Sequence, residues 1–206
     1  MCNLYRMTKS RTEVAKLFEV DAGEGGGNFG EEVYPGYPGL VVAQGCVRQM
    51  NWGFPLVMKG KSGQMLKPKP VNNTRTDKLD SHFWRDSFEA RRCLIPVSAW
   101  AEAEGTRGAM TRTWLSVDDA ETFACAGIWR RSDEWGPCYS MVMTDAAGSA
   151  REVHTRMPVV LAPHDYAVWT DGSPDRAREL CRPWQGNLVL DRTSQPWAGG
   201  KAARLI

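Results

Sequence analysis

The chain has 206 residues, of which 42% are hydrophobic and 10% aromatic, and its formal net charge is +2. This composition is typical of a globular protein and predicts one domain over residues 1 to 206, which we expect to be a monomer. No apolar run reaches the ~18 residues of a membrane-spanning helix, and no signal-peptide pattern follows Met1. We therefore expect a cytoplasmic protein that does not enter a membrane.

The cysteines give no sign of a metal site. All six are spread along the chain, with no Cys-x-x-Cys pair and no histidine at the spacing of a zinc ligand. Cys93 and Cys125 lie in apolar segments, so we interpret them as core residues. We expect reduced thiols, no metal and no cofactor.

The basic residues are concentrated in one part of the chain. Residues 33–76 contain no Asp or Glu but six Lys and Arg, whereas the remainder has 20 basic and 24 acidic residues. Such a one-signed segment suits a polyanion, and a solvated basic loop explains the charge equally well.

The hydrophobic pattern predicts short helices at the periphery. Ser10 and Glu13 have the spacing of a capping box, and Val14, Leu17 and Phe18 lie on one helical face, which predicts a helix from residue 10 to about 20. Further helices are predicted over residues 77–90, 163–169 and 174–180.

Strands account for most of the remaining pattern. Residues 40–43 and 47–52 are predicted to form a hairpin around the Gln44-Gly45 turn, and residues 58–71 form a basic loop. Later strands are predicted at residues 93–102, 113–117, 123–129, 139–144, 157–161 and 188–190. The fold class is therefore α+β, with an antiparallel or mixed, barrel-like sheet at the core and a few peripheral helices.

Cys2 is the first candidate for chemistry. We expect Met1 to be removed before so small a residue, which would leave a thiol and a free α-amine on adjacent carbons. With a pKa near ~8, roughly 9% of such an amine is unprotonated at pH 7, against ~0.04% of a lysine. The amine can attack an aldehyde, and the thiol can close the imine into a thiazolidine. A second-position cysteine can also be an accident of the translation start.

Several polar residues stand beside apolar strands. Asn73 and Arg75 end the basic loop, Glu102 ends an apolar strand, and His154 and Arg156 precede another. A partly desolvated Glu102 would have a raised pKa suitable for proton transfer. Each residue alone also fits an ordinary loop, cap or strand end, so the interpretation depends on their occurring together.

Together these residues resemble the SOS response-associated peptidase (SRAP) family of abasic-site processing proteins. The matching motifs appear in family order and span residues 1 to about 161. They are Met1-Cys2, Trp52-Gly53-Phe54-Pro55, Asn73-Thr74-Arg75, Arg92-Cys93-Leu94-Ile95-Pro96 with Glu102, Ala126-Gly127-Ile128-Trp129, and His154-Thr155-Arg156-Met157-Pro158.

The resemblance implies a protein that binds single-stranded DNA and forms a thiazolidine cross-link to the ring-opened aldehyde of an abasic site, a lyase-like activity. It implies that Cys2 is the nucleophile, that Asn73 orients the N-terminus or the sugar, and that Glu102 and His154 transfer protons. It also implies that Arg75 and Arg156 hold phosphates and that Trp52 and Phe54 stack on a base. Lys67 and Lys69 of the basic loop complete the expected DNA-binding set.

The sequence departs from the family pattern in two places. Asn3 and Leu4 replace a usual Gly-Arg, so the phosphate contact of that arginine is missing unless Arg6 supplies it. Ala99-Trp100-Ala101-Glu102-Ala103 replaces a usual Gly-Phe-Tyr-Glu-Trp, which keeps the acid and changes its surroundings.

Two other functions fit the same residues. Cys2 and His154 could form the nucleophile and base of a thiol peptidase, whose action could be limited to the removal of its own Met1. The basic segment alone would also fit a nucleic-acid-binding module without chemistry. Covalent capture of abasic sites is the hypothesis that gives Cys2, Glu102 and His154 a common role.

Overall fold

The computed structural model describes residues 2–25 and 30–197. Its α-helices are α1 (Arg11–Leu17), α2 (Arg85–Ala90), α3 (Ala150–Val153), α4 (Tyr166–Asp171) and α5 (Pro174–Glu179), and single 3-10 turns cover Thr76–Lys78 and Pro163–Asp165. Its strands up to the middle of the chain are β1 (Tyr5–Arg6), β2 (Glu32–Val33), β3 (Pro38–Ala43), β4 (Cys46–Trp52), β5 (Phe54–Leu56), β6 (Lys69–Val71), β7 (Asn73–Arg75) and β8 (Arg92–Val97). The later strands are β9 (Ala99–Glu104), β10 (Thr111–Val117), β11 (Phe123–Ser132), β12 (Gly136–Asp145), β13 (Arg156–Pro158), β14 (Val160–Leu161) and β15 (Leu188–Pro196).

A closed barrel forms the centre of the molecule, which confirms the predicted fold class. Its strands run in the order β12-β4-β3-β8-β11, and β11 pairs again with β12 to close the ring. Every pairing in this ring is antiparallel except that of β12 with β4, which is parallel. β7 also lies parallel to β12, and this pairing brings Asn73 beside Met141.

A second sheet packs beside the barrel and carries the start of the chain. Its order is β15-β10-β9-β1-β2, so β1 is an interior strand with β9 on one side and β2 on the other. The buried Tyr5 of β1 and Tyr139 of β12 share a hydrogen bond between their hydroxyl groups, which ties this sheet to the barrel. The N-terminal residues are therefore fixed within the fold.

The predicted strand over residues 93–102 is wrong as a single strand. The chain leaves the barrel at the end of β8 and joins the second sheet as β9, with Ser98 between them donating its backbone N–H to Arg6 O at 2.7 Å. This change of sheet puts Glu102 level with the residues that precede β1, whereas an uninterrupted strand would have kept it in the barrel. The sequence is similarly apolar before and after Ser98, so hydrophobic periodicity alone does not reveal the change of sheet.

The predicted helix over residues 77–90 is also wrong in its first half. Only α2 is helical, and turns with i to i−3 hydrogen bonds precede it, such as Trp84 N to Ser81 O at 2.9 Å. In this arrangement Phe83 and Trp84 both pack on Phe54, with ring centroids 6.1 and 5.1 Å away. Tertiary packing of the aromatic rings has overridden the local helical pattern.

Local signals elsewhere predicted the structure well. Both halves of the capping box at Ser10 and Glu13 are present at the start of α1. Gln44 and Gly45 both have positive φ angles, 54° and 66°, as expected of the tight turn that joins β3 to β4. Within the described residues, no helix is long and apolar enough to cross a membrane.

Candidate active site at the N-terminal cysteine

Cys2 is completely buried at the beginning of the second sheet. Asn72 and Asn73 both donate from Nδ2 to the Cys2 carbonyl oxygen, at 2.9 and 2.6 Å. The thiol donates to Leu4 O at 3.4 Å, and its burial, with the nearby Glu102 carboxylate adding to the effect, raises the pKa of Cys2 well above its ordinary value. The thiol is therefore neutral at pH 7, and the two asparagines hold the backbone of Cys2 in place.

The two asparagines are held in turn by the barrel. Asn72 O accepts from Trp52 Nε1 and from Met141 N, both at 2.9 Å. Asn73 belongs to β7, and its Oδ1 is buried without a hydrogen bond from any residue that the structure describes. A buried acceptor without a donor is costly, so this oxygen is a candidate contact for a substrate hydroxyl or for a terminal amine.

Glu102 lies on β9, close to Cys2. β9 pairs with β1 so that Tyr5 faces Trp100 and Ala101 N donates to Leu4 O at 2.9 Å, which places Glu102 along the same sheet as the first residues. Its side chain is 2% exposed, and burial raises the pKa of Glu102 from 4.5 to about 7. A carboxyl group with this pKa can both donate and accept a proton near neutral pH.

His154 follows α3 and precedes β13. Its Nδ1 accepts a hydrogen bond from the backbone N–H of Arg156 at 3.0 Å, so a neutral ring carries its proton on Nε2. Partial burial, followed by neighbouring positive charge that includes Arg156, lowers the pKa of His154. The ring is therefore largely neutral at pH 7.

The predicted phosphate-binding residues differ in their availability. Arg156 is half-buried and pairs with no carboxylate among the described residues. Lys67 and Lys69 are exposed beside and on β6. Arg75 instead makes a bidentate contact with Asp77, with Nε and Nη2 at 2.7 and 2.6 Å from its carboxylate oxygens, so a phosphate would have to compete with that carboxylate.

The structure corrects the expectation that Trp52 and Phe54 stack on a base. Both side chains have 0% exposure. Trp52 packs edge-on against Tyr5 and donates its indole N–H to Asn72, while Phe54 contacts Phe83, Trp84 and the guanidinium of Arg130. Trp52 therefore supports the site through its hydrogen bond to Asn72, and neither buried ring can stack on a base.

Comparisons with known proteins place the chain in a family. A family model described as SOS response associated peptidase (SRAP) matches residues 1–195. The chain belongs to the SRAP family. It is 21% identical to the abasic site processing protein YoqW of Bacillus subtilis and 22% identical to YoaM of the same organism, in each case over 149 residues. These matches take in 68% of this chain but only 65% and 64% of the relatives, slightly under two thirds of their length.

The fold of this SRAP chain also recurs in solved structures. A crystal structure of a protein from Bordetella bronchiseptica superposes with a TM-score of 0.76 at 20% identity, covering 93% of this chain and 99% of that one. A protein from Bacteroides thetaiotaomicron gives a TM-score of 0.74 at 16% identity, covering 93% and 91% of the two chains. At these identities the likeness establishes the shared fold.

Two features of this SRAP site were not predicted from sequence. Asn72 donates to the Cys2 carbonyl oxygen as Asn73 does, and the adjacent pair of asparagines was the available signal. Arg6 lies over the Trp114 ring at 3.9 Å and pairs with Glu32 at 3.3 Å, so it is engaged inside the protein. No three metal-binding side chains cluster within residues 2–25 and 30–197.

Proposed function

We propose that this protein binds single-stranded DNA and captures the aldehyde of an abasic site through Cys2, after removal of Met1, as a thiazolidine. The observation that carries the proposal is the placement of Cys2, whose carbonyl is held by two asparagines beside a buried carboxyl group with a pKa of about 7. The names of the relatives YoqW and YoaM support abasic-site processing as the function. Met1 lies outside the described residues, so its removal stays a prediction.

The proposed reaction begins with the amine. The Cys2 nitrogen adds to C1′ of the ring-opened sugar, forming a C–N bond and a carbinolamine, which loses water to give an imine. The Cys2 thiol then adds to the imine carbon, forming a C–S bond while its proton passes to the nitrogen. One water molecule is released in the whole sequence. This order suits a thiol whose raised pKa keeps it protonated until it closes the ring.

Glu102 and His154 have separate roles in this proposal. Protonated Glu102 delivers a proton to the departing carbinolamine hydroxyl, and its carboxylate takes one up when the sugar ring opens. Neutral His154 is the secondary proton carrier and acts through Nε2. Asn72 and Asn73 hold the Cys2 carbonyl, and the buried acceptor Asn73 Oδ1 receives a hydrogen bond from a sugar hydroxyl.

A peptidase remains the second candidate because the family is described as a peptidase. Its mechanism would need the Cys2 thiolate, since a thiol is a poor nucleophile. The burial that raises the pKa of Cys2 disfavours that thiolate. The burial of the Cys2 thiol therefore favours amine-first capture over thiolate attack.

The deciding experiment measures the intact mass of the protein after incubation with a single strand that carries one abasic site. We expect the free protein to lack Met1 and the product to equal protein plus DNA minus one water. Cys2→Ser can still form an imine but should lose the heat-stable adduct. A heat-stable adduct from Cys2→Ser at wild-type yield would exclude the thiazolidine.

A residue inserted between Met1 and Cys2 separates capture from peptidase activity. The insertion keeps the Cys2 thiol, but the free α-amine then belongs to another residue and no longer lies on the carbon next to the one that carries the thiol. Capture should then fail, whereas hydrolysis of an added peptide through the thiol would survive. Peptide hydrolysis that is unchanged by the insertion, with no adduct in the wild-type protein, would favour the peptidase.

A further inference from the structure

Trp129 ends the Ala126-Gly127-Ile128-Trp129 motif and takes no part in the site around Cys2. It is half-buried on β11, and with Arg131 it lines two clefts of about 610 and 520 Å³. Its indole Nε1 is shielded from solvent and donates to no residue in the described part of the chain. We call the two clefts together the Trp129 surface.

The Trp129 surface is rich in positive charge that the protein itself does not neutralise. None of its arginines forms an ion pair with a described carboxylate, and they come from β4, the end of α2 and β11: Arg48, Arg91, Arg130 and Arg131. Asp86 and Glu24 are the acidic residues that line the clefts. Asp133 and Glu134 lie in the adjoining turn and do not line either cleft. The surface therefore favours an anionic partner.

Two of the guanidinium groups are already held in position. Arg130 lies 4.3 Å from the ring centre of Phe54 and 4.6 Å from that of Phe83. Arg91 donates from Nε to the Trp129 carbonyl oxygen at 3.3 Å. Arg131 is exposed and free to move towards a ligand. Side chains held in this way lose less conformational freedom when they bind an anion.

The mixture of arginines and aromatic rings identifies the kind of anion. Guanidinium groups match phosphate oxygens in pairs, and the partly exposed rings of Trp129 and Phe83 can accept bases by stacking, worth ~1–3 kcal/mol each. A peptide rich in Asp and Glu would use the charge but not the rings. Phosphate together with a planar base is the chemistry that uses both.

We propose that the Trp129 surface is a second, non-covalent contact for single-stranded nucleic acid. It is connected to the capture site through packed residues, since Arg130 contacts Phe54, Phe54 pairs with Val71, and Val71 precedes Asn72. The inference rests on the proposed function in one respect: the strand bound at the Trp129 surface is taken to be the strand that Cys2 captures. It adds a surface that binds undamaged nucleotides at a distance from the lesion.

The test compares Arg131→Glu with Arg107→Glu in the full chain. Both residues are exposed and both changes alter the charge equally, but Arg107 lies in the turn before β10. Fluorescence anisotropy with a labelled, undamaged oligothymidylate should show about tenfold weaker binding for Arg131→Glu and a salt slope reduced by about 0.7. Arg107→Glu should bind like the wild type. Equal affinities and slopes for the two variants would overturn the inference.

Competitors distinguish a nucleic-acid strand from a simpler anion at the Trp129 surface, and cross-linking distinguishes this surface from the capture site. Thymidine 5′-monophosphate or polyglutamate that displaces the oligonucleotide at equal phosphate or carboxylate concentration would overturn a nucleic-acid strand as the partner. Adduct formation with an abasic strand at saturating concentration should be the same in wild type and Arg131→Glu. Absence of any adduct in the wild type would count against capture at Cys2 and leave the anisotropy result standing.

Discussion

Glu102 is a carboxyl group that the fold keeps almost entirely away from water. Because burial penalises its charged form, its pKa rises to about 7, and the residue becomes useful for proton transfer at the expense of stability. Functional sites commonly combine these two effects. The two consequences can be measured separately with one substitution.

The first prediction concerns rate. Glu102→Gln keeps the shape of the side chain but cannot cycle a proton, so cross-linking or its reversal should slow by ~10²–10⁴ while DNA affinity stays near wild type. His154→Ala should show a milder loss if His154 is the secondary proton carrier that we propose. Single-turnover cross-linking at saturating DNA measures both. Unchanged forward and reverse rates would remove Glu102 from the mechanism.

The second prediction concerns stability. Between pH 4.5 and about 7 the folded protein holds a proton on Glu102 that the unfolded chain has lost, so the contribution of Glu102 to stability falls as pH rises through this window. At pH 8 Glu102→Gln should therefore raise the free energy of unfolding by ~2–3 kcal/mol. At pH 4 the difference should largely vanish. Urea denaturation at the two pH values measures it.

Glu104 on the same strand provides a matched control. A hydrogen bond from Thr113, followed by the interactions with Arg192, lowers the pKa of Glu104. Its stabilising effect is therefore present at pH 8 and is lost as pH falls through the lowered pKa. Glu104→Gln should lower stability at pH 8, the opposite sign to Glu102→Gln. Equal effects from the two variants would contradict the proposed environment of Glu102.

At the scale of elements, Gly53 sets the path from β4 into β5. Its φ angle is 126°, and a Cβ at this position would lie 2.5 Å from Pro70 Cβ. Gly53 thus allows β5 and β6 to pack closely, immediately before the two asparagines that hold Cys2. A glycine that is required for both its backbone angle and its lack of a side chain is poorly replaceable.

The third prediction follows from that contact. Gly53→Ala should destabilise the protein by ~2–4 kcal/mol and also reduce cross-linking, because β6 must shift and carry Asn72 and Asn73 with it. Gly45→Ala is the control, since Gly45 also has a positive φ but nothing lies within 4 Å of its added Cβ. It should cost only ~1 kcal/mol and leave cross-linking unchanged. Thermal unfolding and adduct yield, measured together, test the pair.

Some of these elements could be predicted from the sequence and others could not. The β3–β4 hairpin and the start of α1 were predicted because turn glycines and capping boxes act locally. The change of sheet at Ser98 and the aromatic turns before α2 were missed, since each depends on partners far away in the chain. The site residues were proposed through the family resemblance, but the burial of Trp52 and Phe54 is a matter of tertiary packing.

For the whole molecule, binding of single strands should depend on salt. If Arg156, Lys67, Lys69 and one further cation neutralise about four phosphates, log K should fall with log salt at a slope near ~−3. Arg156→Ala should weaken binding of undamaged and abasic strands alike and reduce the slope by about 0.7. Filter binding over a salt series measures this. A loss limited to abasic strands would mean that Arg156 serves chemistry.

The hydrogen bonds from the asparagines to Cys2 also constrain when the N-terminal residues can fold during synthesis. The carbonyl of Cys2 meets side chains that lie 70 and 71 residues further along the chain, and β1 needs β9 as its neighbour. During translation Cys2 leaves the ribosome early, yet the last of its partners follow only after nearly half of the chain has been synthesised. The proposed capture site is therefore completed late, and a chain terminated before β9 would carry Cys2 without the buried carboxyl group of Glu102.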